Sequence, residues 1–216
     1  GFADTENSRE YKLILQLIDT PWVQRLRDIS QTSNTKFLYI FSEHSRFGHS
    51  LGTCHMASCL LEKLETKNPN RVKEYKSAVL TAALLHDLGH LAPGSHTAQR
   101  IWFPDEEDSH EQIGARIIEE SEISKIINSH DKDLIDKVVK ILREDETLPP
   151  WTREIISGKG WNVDRGNWCY IDSILSGVNY GKYNVDALTD SLFLSSDNHL
   201  ALEENRLDAM LHFAIS

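Results

Sequence analysis

The stretch Ala78–Leu85 is apolar at every position except Thr81, and it runs directly into His86, Asp87, Gly89 and His90. Such a run reads as a buried helix, with Gly89 as its stop. A buried helix that ends in an imidazole beside a carboxylate is costly. Each polar group left unpaired there would cost about 2–7 kcal/mol on desolvation. Hydrogen bonding at a helix end is one way to meet that cost; a bound cation is another. Neutral imidazole together with carboxylate suits one borderline divalent transition metal: Mn, Fe, Ni or Zn.

The rest of the chain must supply what surrounds this stretch. Its 216 residues suffice for one domain with a sizeable core. The domain is expected to span residues 1–216, and Leu211–Ser216 reads as the inside of a helix, so that further residues are expected to follow. No segment has the length and apolarity of a membrane span. The net charge of −10 argues against strong affinity for nucleic-acid backbones, while leaving room for a small anion held by a metal and local cations. The three cysteines, Cys54, Cys59 and Cys169, fit neither a zinc motif nor a closed disulfide framework. A reducing cytoplasmic setting is the expectation.

Helical periodicity covers Glu10–Ile18, and Thr20 with Pro21 reads as a cap and first turn of a second helix. Further helices are predicted over 48–65, through the His86 stretch, and over 110–120, 123–128, 134–144, 151–157 and 164–176, with a last one beginning near Glu203. Leu91–Asp108 reads as a long loop in which Trp102 and Phe103 act as anchors or as part of a site. Residues 191–202 read as a hairpin around Asp197-Asn198. The fold class is therefore all-α, mainly helical, with a small β-hairpin near the C-terminus.

Four residues stand out for chemistry: His49, His86, Asp87 and Asp164. They fall on three helical segments, which a bundle can bring around one ion with positions left open for water and a phosphate oxygen. Their order, with Arg46-Phe47-Gly48-His49-Ser50-Leu51-Gly52 and His86-Asp87-Leu88-Gly89-His90, resembles the HD-domain phosphohydrolase superfamily. Within it the nearest resemblance is to the deoxynucleoside triphosphate triphosphohydrolases. Ile18-Asp19-Thr20-Pro21, Gln24-Arg25-Leu26-Arg27, Gln31 and Asp108-Ser109-His110-Glu111 extend it, so that it covers roughly residues 18–177.

The resemblance implies that His49, His86, Asp87 and Asp164 hold the metal, with Mg as a companion of the substrate phosphates. It implies that His110 and Glu111 form a proton-transfer pair and that His90 and His96 lie near the phosphates. Arg46 and Arg165 match phosphate-contacting positions, Gln31 a sugar-facing one, and Trp168 and Asp172 positions near the nucleoside. The implied reaction is hydrolysis of a dNTP to deoxynucleoside and triphosphate. The alternatives are another phosphoester, such as a nucleoside monophosphate or a cyclic or alarmone nucleotide, and a nucleotide-sensing module with little turnover. A homo-oligomer is in keeping with the family. His44, His55, His130, His199 and His212 match no motif and read as structural. The departures lie around the substrate: Asn162 and Asn167 replace acidic residues, Trp168 replaces Tyr, and Gln99 replaces an acidic residue. The His86–His96 segment is one residue longer than usual, and Thr32-Ser33-Asn34 replaces a glycine-rich turn.

Overall fold

The computed structural model describes residues 8–39, 41–105 and 109–215; the side chain of His96 and the whole of Asp108 lie outside that set. The first helix, α1 (Arg9–Ile18), starts at Ser8, whose hydroxyl accepts the Tyr11 N–H. The short α2 (Pro21–Gln24) starts at Thr20 with Pro21 in its first turn, as its sequence predicts, and continues into a 3₁₀ turn at Arg25–Asp28. A second 3₁₀ turn occupies Ser33–Phe37.

The centre of the fold is the antiparallel pair α3 (Arg46–Lys67) and α4 (Pro69–Leu85), joined at Asn68. Every residue from Ala78 to Leu85 is buried, Thr81 included. Leu60, Leu61 and Leu64 of α3 pack in the same core. The helices that follow are α5 (His96–Trp102), α6 (His110–Glu120), α7 (Glu122–His130), α8 (Leu134–Leu142), α9 (Pro150–Ser157) and α10 (Val163–Leu175). Helix α8 lies on α4, and α10 lies on α3. After α11 (Val185–Asp190), strands β1 (Leu192–Leu194) and β2 (Leu200–Leu202) form an antiparallel hairpin with Phe193 opposite Ala201. Helix α12 (Leu207–Ile215) follows. Among the described residues no helix is long and apolar enough to cross a membrane.

Three local expectations need correction. The segment after His90 is not all loop: Ser95 caps α5 by accepting the Ala98 N–H, a signal masked by the surrounding Pro, Gly and aromatic residues. Trp102 and Phe103 do not anchor it, since both are exposed. Helix α11 was not predicted, because its few residues give too little periodicity to read.

Gly89 also has a different role from a left-handed helix stop. Helix α4 ends at Leu85, and a Cβ on Gly89 would collide with the backbone carbonyl of His110. The glycine allows the start of α6 to approach the end of α4, which sets His110 beside His90. Gly52 serves α3 and α10 in the same way, because a Cβ there would strike the Asn167 side chain.

Candidate metal centre

His49 sits on the first turns of α3, whose N-cap Ser45 accepts the Gly48 N–H. His86 and Asp87 follow the last residue of α4, and Asp164 lies in the first turn of α10, capped by Asn162. One ligand atom from each of His49, His86 and Asp164 lies within 4.8 Å of the others. His49 Nε2 is 2.9 Å from Asp164 Oδ1 and 3.2 Å from His86 Nε2. Asp87 stands beside them, with Oδ1 at 3.5 Å from His86 Nε2 and Oδ2 at 3.7 Å from His49 Nε2. The same Oδ2 receives a 2.7 Å hydrogen bond from buried Arg46, which also donates to the Gly94 carbonyl. Asp87 is therefore shared between the cluster and Arg46.

The tautomers decide whether a cation fits. His86 Nδ1 is 2.9 Å from the Ala83 carbonyl, an acceptor only, so Nδ1 carries a proton. His49 Nδ1 donates to Asn167 Oδ1 at 2.9 Å. In the neutral rings both Nε2 atoms then present lone pairs to each other and to a carboxylate. Three lone pairs converging at such distances repel unless a cation lies among them, and this donor set fits a divalent metal. Burial disfavours an imidazolium at His86, yet the charge of Asp87 and the bond to Asp164 outweigh it and push its pKa up to about 9. Asp164 is lowered despite its burial by its interactions with the His49 and His86 rings.

A proton on His86 therefore competes with metal below about pH 9. Each ligand must lose its proton to bind, so apparent metal affinity should rise with pH across the neutral range, by about tenfold per unit for one displaced proton. Competition titration with a chromophoric chelator at several pH values measures this. A flat profile between pH 6.5 and 8.5 would show that no proton is displaced.

His110 lies next to the cluster without joining it. Its Nε2 is 3.1 Å from Glu111 Oε1, and its ring stacks on His90 with centroids 4.2 Å apart. Burial holds His90 down at about 3, so its ring is neutral, and its Nε2 sits 3.3 Å from Asp87 Oδ1. Glu111 is lowered against its burial by the charge of His110.

A cavity of about 450 Å³ opens from the cluster, within the range of roughly 300–1,000 Å³ typical of small-molecule sites. His86, Asp87, Asp164, Arg46 and His110 line it together with Gln31, Trp168 and Asp172. Arg165 is elsewhere, donating to the carbonyls of Lys159 and Gly160. His96 starts α5, whose neighbours Ser95 and Thr97 line the cavity, but its side chain is outside the described set. A larger cavity of about 660 Å³, between α9, the hairpin and α12, contains none of these residues.

Residues that the sequence did not mark as functional complete the frame. Arg25, given no role of its own within the Gln24–Arg27 string, donates to the carbonyls of Leu88 and His90 and fixes the turn after α4. Asn167, noted only as a departure, orients His49. His44, expected to be structural, binds Asp172. All of these bonds join residues more than sixty positions apart, and contact at that range leaves no signal in the sequence.

A family model for the HD domain matches residues 46–158. The uncharacterized protein YwfO of Bacillus subtilis is 26% identical over 209 residues, which are 95% of this chain and 46% of that protein. The deoxynucleoside triphosphate triphosphohydrolase SAMHD1 of Danio rerio is 38% identical over 96 residues, 44% of this chain and 15% of the relative. The crystal structure of a hypothetical protein from Aquifex aeolicus superposes with a TM-score of 0.80 at 31% identity, over 93% of this chain and 52% of that one. The chain spans less than half the length of the first curated relatives it matches. With a family match over more than half its length, and with the residues of the His-Asp motif set beside a second histidine and a second aspartate, the chain belongs to the HD domain family.

Proposed function

We propose that this protein is a metal-dependent phosphohydrolase acting on nucleotides, and that its reaction is hydrolysis of a dNTP to deoxynucleoside and triphosphate. The observation that carries the reading is the single cavity in which the cluster, Arg46 and His110 share walls with Gln31, Trp168 and Asp172. The partial similarity to SAMHD1 proteins, named as deoxynucleoside triphosphate triphosphohydrolases, supports the substrate class.

His49, His86 and Asp164, with Asp87, would hold the metal. A divalent metal supplies acidification of water and polarisation of a phosphoryl oxygen. Arg46 brings a permanent positive charge to the phosphate end, where its guanidinium can share the load of a polyanion without losing a proton. His110, with Glu111 at 3.1 Å, would protonate the departing sugar oxygen. Water adds to the α-phosphorus, the bond from phosphorus to the sugar oxygen breaks, and the triphosphate leaves intact. Gln31 and Asp172 offer hydrogen-bond acceptors to the sugar, and Trp168 offers a face to the base.

Phosphorus NMR of a dNTP incubated with the protein and Mn²⁺ tests the reaction. Triphosphate should appear as the first product. Pyrophosphate or single phosphate as the first product, or turnover confined to monophosphates or cyclic nucleotides, would replace this reaction with another phosphoester hydrolysis at the same centre.

A further inference from the structure

The metal cluster borders a second cavity besides the one assigned to the nucleotide. It measures about 110 Å³, well under the roughly 300–1,000 Å³ of a small-molecule site. It has room for a few waters or a small ion and none for a nucleotide. His86, Asp164 and His110 line both cavities, so the ligand residues are reached from each.

The smaller cavity lies among α6, α8, α9 and the start of α10. Ile141, Leu142 and Ile156 give it apolar walls. Glu144 and Ser157 also line it, and both are exposed. The same two residues line the 660 Å³ cavity beside the hairpin. The lining thus joins the ligand residues to the surface at α9 by way of residues that the nucleotide cavity does not touch.

Its fixed charges have one sign. Glu111, Glu144 and Asp164 line it, with no lysine or arginine. A narrow cleft with carboxylates and low-dielectric walls concentrates cations and raises their on-rates by about 10–10³-fold. In the nucleotide cavity the carboxylates are already engaged. Asp87 takes the Arg46 guanidinium and Asp172 takes His44. That cavity is also the one a polyanion would fill.

We infer that the 110 Å³ cavity is the route by which a divalent metal reaches and leaves the cluster, with Glu144 and Ser157 at its mouth. The inference rests on the reading of the cluster as a metal centre.

A residue on a route alters the barrier alone. It changes association and release by the same factor and leaves Kd where it was. A residue that acts on the bound ion changes Kd instead.

The test is stopped-flow loading and release of Zn²⁺, followed with a chromophoric chelator, on wild type, Ser157→Trp, Glu144→Lys and Thr97→Trp. All three positions are exposed, and Thr97 lines the nucleotide cavity but not the smaller one. Thermal melts check that each variant is folded. Ser157→Trp, by bulk, and Glu144→Lys, by charge, should slow loading and release together, by about 10-fold, at unchanged Kd. Thr97→Trp should keep wild-type rates. Wild-type rates in both Ser157→Trp and Glu144→Lys, or slowing in Thr97→Trp alone, would overturn the route and leave the metal centre standing. Faster release with a weaker Kd in Glu144→Lys would also overturn it, since the charge would then act on the bound ion. If equilibrium dialysis finds no Zn²⁺ on wild type, the metal reading falls and the route with it.

Discussion

His86→Ala should yield a folded protein that no longer retains a divalent metal after dialysis. His86 has Nδ1 on the Ala83 carbonyl, and its Nε2 lies 3.2 Å from His49 Nε2 and 3.6 Å from Asp164 Oδ1. Removing it takes away a direct bond and the lone pair that completes the donor set. A metal at such a centre is worth several kcal/mol of transition-state stabilisation, so turnover should fall by about 10³-fold or more. Asp87→Ala should behave differently. It also faces the cluster, but it forms a buried ion pair with Arg46 at 2.7 Å, with both side chains under a tenth exposed. Leaving Arg46 buried without its partner costs about 3–5 kcal/mol, so this variant should lose stability along with metal. Elemental analysis and thermal melts separate the two cases. Full metal content in both variants would remove these residues from the ligand set.

How far the sequence reveals this centre depends on the range over which each signal acts. The apolar run before His86 predicts a buried helix, because continuous burial leaves a direct trace in composition. The cap Thr20 acts within three residues and marks where α2 starts, whereas the expected starts at 48 and 164 fall one or two residues inside α3 and α10, whose caps are Ser45 and Asn162. The hairpin at Asp197-Asn198 is legible for the same reason, with Asn198 at a φ of 67°. What is not legible is contact between distant segments. Asn167 reaches His49 across 118 positions, and His44 reaches Asp172 across 128. Gly89 reads as a helix stop because a glycine after a helix usually is one. Only the packing of α6 against the end of α4 shows that it makes room for the His110 backbone. Arg165 reads as a phosphate contact by position, while its side chain satisfies the carbonyls of Lys159 and Gly160.

His110→Ala should separate binding from proton transfer. His110 is outside the ligand group, so the variant should keep its metal. It lines the cavity next to His86 and Asp164, and its ring is held on both sides. Glu111 Oε1 lies 3.1 Å from its Nε2, and the His90 ring stacks against it. The lowered pKa of Glu111 keeps that carboxylate anionic at neutral pH, where it can orient an imidazole and favour its protonated form. The neutral, buried His90 offers a flat wall and adds no competing positive charge. A general acid placed in this way is worth about 10²–10⁴-fold in rate. His110→Ala should therefore lose that much in kcat with little change in KM, since the proton moves only in the transition state. Glu111→Gln keeps the ring and its neighbours but removes the charge that orients it, so its loss should be smaller. Metal content, kcat and KM measured together on the two variants test the assignment. A His110→Ala protein with full metal and near-normal kcat would mean that another group delivers the proton to the leaving sugar oxygen.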